Sequence, residues 1–170
     1  LEGHDWRRFL KIYEDNLRQA NGERPRIRLE PNRAIQTMLD QLATVFRLRI
    51  RDVTEQTEGV WAEKVRVLEI SDAVDNKALG VIFADFFKRR ASGKNGGGWH
   101  YSVFSQRFDD GQDMRPVSLA ACTLDEGAQE ISLSNMTCLY HEMGHALHAI
   151  SSRNQHHHHA GTRVVRDMFC

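Results

Sequence analysis

The sequence predicts an α+β fold with two N-terminal helices, a small sheet of about five strands, and a last helix that carries the pattern H-E-x-x-H. Three observations predict it. Apolar residues recur at helical spacing up to residue 45, alternate from 46 to about 123, and return to helical spacing after 134. β-Branched and aromatic residues gather in the middle stretch, where a pleated, half-buried surface favours them. Gly, Pro and Asp punctuate the runs.

From about Asp5 to Ala20, Trp6, Phe9, Leu10, Tyr13 and Leu17 share one face of a first helix, which Asn21-Gly22 ends. The charged segment Glu23 to Pro31 carries both early prolines and reads as a connector. A second helix follows Pro31, with Ile35, Met38, Leu39, Leu42 and Phe46 as its apolar stripe. Five strand-like runs come next, at 46–51, 65–70, 79–87, 99–104 and 117–122. Gly93 and Gly96-Gly97-Gly98 form a flexible loop between two of them; lacking the GxGxxG spacing, they make no phosphate cradle. Asp109-Asp110-Gly111 is a turn rather than a metal-binding acidic pair.

The last helix spans 134–152, with Ser134 as its expected N-cap. Met136, Leu139, Tyr140, Met143, Leu147 and Ile150 recur every three or four residues and form its buried face. Gly144 is small enough to admit a neighbouring element closely.

Composition bounds the function classes. With 41% hydrophobic and 27% charged residues the chain is an ordinary globular one, long enough for one domain with a sizeable core. Its 23 basic and 23 acidic side chains cancel, so no global field draws in nucleic acid. No run of 18 apolar residues spans a membrane. Cys122, Cys138 and Cys170 lack CxxC spacing, and reduced thiols account for them most simply. The chain begins with Leu and stops at Phe-Cys, so it is expected to be a piece of something longer.

His141-Glu142-Met143-Gly144-His145 carries the chemistry. On a helix, residues four apart lie one above the other, so His141 and His145 can aim two imidazole nitrogens at one Zn²⁺. Glu142 lies beside that pair, placed to take a proton from water activated by the metal. The helical flanks weigh against a chance match on a polar stretch.

The sequence also resembles a known family, the M3 oligopeptidases, from about Ala43 to Asp167. Three blocks in order carry the resemblance. They are Gly59-Val60-Trp61 with Val65–Ile70, then Leu79-Gly80-Val81-Ile82-Phe83-Ala84-Asp85-Phe86-Phe87-Lys88-Arg89, then His141–His148 followed by Gly161-Thr162 and Asp167. Phe86-Phe87-Lys88-Arg89 and Met143 look more like the mitochondrial branch, which trims imported precursors, than the cytosolic and bacterial branch, which cleaves free oligopeptides.

The resemblance implies a largely helical metalloendopeptidase whose channel encloses short, unfolded peptides. This chain would then be a partial catalytic domain, with 1–45 helical, 46–123 the small sheet, 134–152 the active-site helix and 153–170 a loop and truncated end. It implies Zn²⁺ as cofactor, a peptide or precursor protein as substrate, a monomer at full length, and the mitochondrial matrix, with the cytoplasm as alternative. The family's third ligand is a glutamate, and its spacing lands on Cys170; Asp167 is the matched neighbour and not the ligand. Either a thiolate replaces the carboxylate or the chain diverges there. The family's downstream His and Tyr oxyanion donors have no counterpart here, so the piece alone is expected to be weak or inactive. The competing readings are an inactive remnant that binds peptide or a partner through its sheet, and a piece that does not fold alone.

Other residues carry blander expectations. His156-His157-His158-His159 reads as a solvated loop with incidental metal affinity. His148 reads as packing or as support for a ligand, His100 as a satisfied sheet residue or a substrate contact, and Tyr140, Cys122 and Cys138 as core. Lys88-Arg89-Arg90 reads as a solvated strand end before an anion site.

Overall fold

The computed structural model describes residues 11–13, 15–16, 29–89, 93–94, 96–105, 107–109 and 112–152. Residues 11–13 and 15–16 are helical, inside the first predicted helix, and the rest of that helix lies outside the described residues.

Helix α1 runs Pro31–Phe46. Proline at its start wastes no hydrogen bond there, and the Glu30 carboxylate accepts the Arg33 N–H at 2.7 Å. Its buried side is Ala34, Ile35, Met38, Leu39 and Leu42. Phe46, expected on that stripe and in the first strand, is instead the exposed last residue of the helix. Arg47 takes a left-handed φ of 53° and turns the chain out of the helix there.

Strands β1 (Leu48–Asp52), β2 (Arg66–Asp72) and β3 (Ala78–Phe87) form an antiparallel meander. A 3₁₀ turn, Thr54–Gln56, follows β1. Strand β4 (Trp99–Phe104) comes next in sequence, then the short pair β5 (Arg107–Asp109) and β6 (Gln112–Met114), then β7 (Val117–Leu124). The β5–β6 pair aligns Asp109 with Gln112 around the predicted turn, so a small hairpin stands where only a turn was expected. Strand β7 inserts between β3, to which it is parallel, and β4, to which it is antiparallel. The five-stranded sheet thus has the order β1-β2-β3-β7-β4, with β4 on one edge. Which strand lay at the edge was not readable from periodicity.

Helix α2, Leu133–Ser151, lies against β3, β4 and β7 on one face of the sheet, and α1 packs on α2 and β1. Met136, Leu139, Met143, Leu147 and Ile150 are buried as the spacing predicts, whereas Tyr140 is half-buried and its hydroxyl donates to Gln41 on α1. The N-cap is Ser132 rather than Ser134: its hydroxyl accepts the Asn135 N–H at 3.1 Å from an extended backbone. Ser134 already has helical geometry, so it cannot cap. Ser132→Ala is expected to cost about 1 kcal/mol in chemical denaturation, while Ser134→Ala leaves the midpoint nearly unchanged.

No helix among the described residues is long and apolar enough to cross a membrane.

Candidate metal centre and the strand beside it

His141, Glu142 and His145 all lie in the third and fourth turns of α2, where the helix runs along β7 and β4. The His141 and His145 Nε2 atoms are 2.9 Å apart, and their rings meet edge to face with centroids 4.4 Å apart. At that separation one nitrogen donates to the other's lone pair. Two imidazoles bound to one tetrahedral ion at 2.0–2.1 Å would place their nitrogens about 3.3 Å apart. A few tenths of an ångström of ring movement would bring the pair to that spacing, so these residues fit two positions of a zinc site. Among the described residues no group of three or more His, Cys, Asp or Glu could hold a metal ion. Cys170, Asp167, Gly161-Thr162 and His156–His159 lie outside the described residues.

Glu142 points elsewhere on the helix. It is buried, at 6% exposure, whereas His141 is exposed and His145 half-buried. Burial raises its pKa against the opposing pull of His141. A carboxylate so raised is a better proton acceptor near neutral pH than a solvated one.

The backbone at Gly98, just before β4, closes over this carboxylate. A Cβ there would stand 2.7 Å from Glu142 Oε1 and would overlap Cys138 Sγ. Gly98 is therefore a site of close approach, not merely part of a flexible loop. The close approach expected at Gly144 does not occur: nothing lies within 4 Å of a Cβ built there. Gly144 instead borders a cavity of about 420 Å³ shared with Phe46, Leu48, Leu79, Leu147 and His148. His148 is exposed on that side of α2.

His100 reaches the site from β4. Its Nε2 pairs with the buried Ser118 hydroxyl on β7 at 2.7 Å, and its ring lies 5.8 Å from that of His145. Burial first, then the nearby His145 and His148, lower its pKa to about 4, so it stays neutral near pH 7. Burial, His141 and His148 also lower the pKa of His145, which favours the neutral imidazole a metal needs. The ring is satisfied within the sheet, as expected, and also lies near His145.

The opposite face of the sheet anchors the loop leading to β4. Asp85 is buried and receives Arg89 through two bonds of 2.6 and 2.7 Å, Lys94 at 2.7 Å and the Trp61 indole N–H at 3.3 Å. Burial pushes its carboxyl pKa up, but these donors outweigh it and the net shift is downward. Lys94 also donates to the Phe87 carbonyl at 3.0 Å, and Thr123 Oγ1 donates to the Gly97 carbonyl at 3.0 Å. Arg89 is thus paired rather than solvated, and Lys88 pairs with Asp125; Arg90 lies outside the described residues. The first two blocks that carried the family resemblance meet at this clasp, through Trp61, Asp85 and Arg89.

Sequence reasoning missed Gly98, Ser118 and the contact between Cys138 and the Glu142 surroundings. Only the last left a local signal, because Cys138 precedes Glu142 by one helical turn.

Comparison with known proteins extends the likeness over nearly the whole chain. The model of Peptidase family M3 matches residues 1–169. A mitochondrial intermediate peptidase of Homo sapiens is 33% identical over 64% of the chain and 15% of its own length. One from Coprinopsis cinerea is 27% identical over 84% of the chain and 24% of its own length. Mitochondrial intermediate peptidase 1 of Cryptococcus neoformans is 26% identical over 96% of the chain and 26% of its own length. The chain therefore spans between a seventh and about a quarter of these relatives.

Proposed function

Because the chain belongs to peptidase family M3, we propose that it forms part of the catalytic domain of a zinc metalloendopeptidase acting on short or unfolded peptides. His141 and His145 would hold the metal, and Glu142 would be the general base. The observation that carries this reading is the approach of the two Nε2 atoms to 2.9 Å on the helix that also carries the buried Glu142, next to an edge strand. When bound, zinc supplies Lewis-acid polarisation of a carbonyl and acidifies water to a pKa of about 7.

The chain's own groups supply the rest. Among the described residues strand β4 pairs with β7 on one side only, so its other edge offers backbone N–H and C=O groups to an extended peptide. A peptide added there lies beside α2, because His100 on β4 already reaches the His145 ring. Glu142 takes the proton from the attacking water and returns it to the leaving amine. Its low exposure limits competing solvation of the carboxylate. By likeness to the mitochondrial intermediate peptidases, the finer proposal is N-terminal trimming of imported precursors in the mitochondrial matrix.

The test is cleavage of an unstructured peptide by the intact protein before and after chelation. We expect chelation to abolish cleavage and stoichiometric zinc to restore it. Peptide binding without any metal-dependent cleavage would instead favour the non-catalytic remnant.

A further inference from the structure

Two cysteines that the proposed chemistry leaves unused stand directly behind its base. Cys122 lies on β7, 1% exposed, and Cys138 lies half-buried on α2. Their Sγ atoms are 3.3 Å apart, so the thiols face one another across the helix–sheet interface. A disulfide requires 2.03–2.05 Å, a closure of about 1.3 Å. Cys138 also sits one turn ahead of Glu142, and both press on Gly98.

We propose that Cys122 and Cys138 form an oxidant-sensitive modification site, where a peroxide converts the two thiols to a disulfide joining β7 to α2 beside Glu142. The geometry assigns an order. Cys138 is the more exposed residue of the two, whereas burial, then Cys138 and Glu142, push the Cys122 thiol up, with Lys94 opposing them. Peroxide therefore meets Cys138 first. The Cys138 sulfur attacks one peroxide oxygen and the O–O bond breaks, giving a sulfenic acid and one water. The Cys122 sulfur then attacks the Cys138 sulfur, the S–O bond breaks, and the hydroxyl leaves as a second water with the Cys122 proton. Two thiols are oxidised and one peroxide is reduced.

The bond would fix the thiol pair that lies with Glu142 beneath Gly98 and tie α2 to β7, the strand between β3 and β4. None of this depends on the peptidase reading, because the sulfur geometry stands without the metal.

The experiment treats the intact protein with hydrogen peroxide, alkylates the remaining thiols, digests without reduction and maps the peptides by mass spectrometry. We expect a peptide pair linked through Cys122 and Cys138, lighter by two hydrogens and separated by dithiothreitol. The link should persist in Cys170→Ser and vanish in Cys138→Ser. Recovery of Cys122 and Cys138 as separately alkylated thiols, at a peroxide dose that oxidises exposed methionine, would overturn the proposal. Pairing of either one with Cys170 would overturn it as well.

Discussion

Glu142→Gln is expected to lower kcat for peptide hydrolysis by about 10²–10⁴-fold while zinc content and melting temperature stay near those of the unaltered protein. The amide has the shape of the carboxylate, so it should fit the narrow space beneath Gly98, where Oε1 leaves room for no side chain at residue 98. What the amide lacks is proton affinity. The burial that raises the Glu142 pKa makes the native group a strong acceptor, and that advantage disappears entirely in the amide. KM should change little, because the substitution removes an interaction needed in the transition state rather than in the bound peptide. Kinetics and elemental analysis on the same preparation check both halves. Unchanged turnover would remove Glu142 from the mechanism.

His145→Ala should have the larger effect on the metal. Losing a partner that merely orients a ligand typically weakens metal binding about 10–100-fold, and losing the ligand itself should exceed that range. His145 is the better-supported of the two imidazoles, set between the His141 ring at 4.4 Å and the His100 ring at 5.8 Å. Alanine leaves one exposed imidazole, His141, at a site that needs several donors. Competition with a fluorescent chelator gives the affinity change. The run His156–His159 is present in both proteins, so any background from it cancels in the comparison. Equal affinities would show that the metal is held elsewhere.

The layout of elements was legible because each segment obeys its own period. Ile35, Met38, Leu39 and Leu42 bury one side of α1, and the β7 run alternates partly buried and buried residues before turning wholly buried at its centre. The exceptions have local causes that periodicity does not encode. Phe46 continues the α1 stripe in sequence, yet the left-handed Arg47 ends the helix beside it. Ser132 and Ser134 both have capping side chains, and only backbone geometry separates them.

The candidate site shows the same division. His141, Glu142 and His145 are helix neighbours, so their spacing alone could be read. Gly98, His100 and Ser118 come from β4, β7 and the loop before β4, and reach α2 only through the strand order. A search for spacing within one element cannot find partners supplied by three others. Cys122 and Cys138 illustrate it: each reads as a small buried hydrophobe alone, and only the helix–sheet contact makes them a pair.

The placement of β7 has a consequence for how the chain is assembled. β1, β2 and β3 are successive neighbours and can zip together through short-range contacts. β4 emerges next with no neighbour among them, since its ladder partner is β7, made later. During synthesis β4 must therefore wait for β7 as a segment bearing Trp99, Tyr101, Val103 and Phe104, each at least 40% exposed among the described residues. Arrival of β7 then completes two ladders at once, one parallel to β3 and one antiparallel to β4. α2 is synthesised after that and covers β7. The interval before β7 arrives is when nascent chains have most to gain from a holdase, and a stalled chain ending near residue 115 would be the species most prone to aggregate.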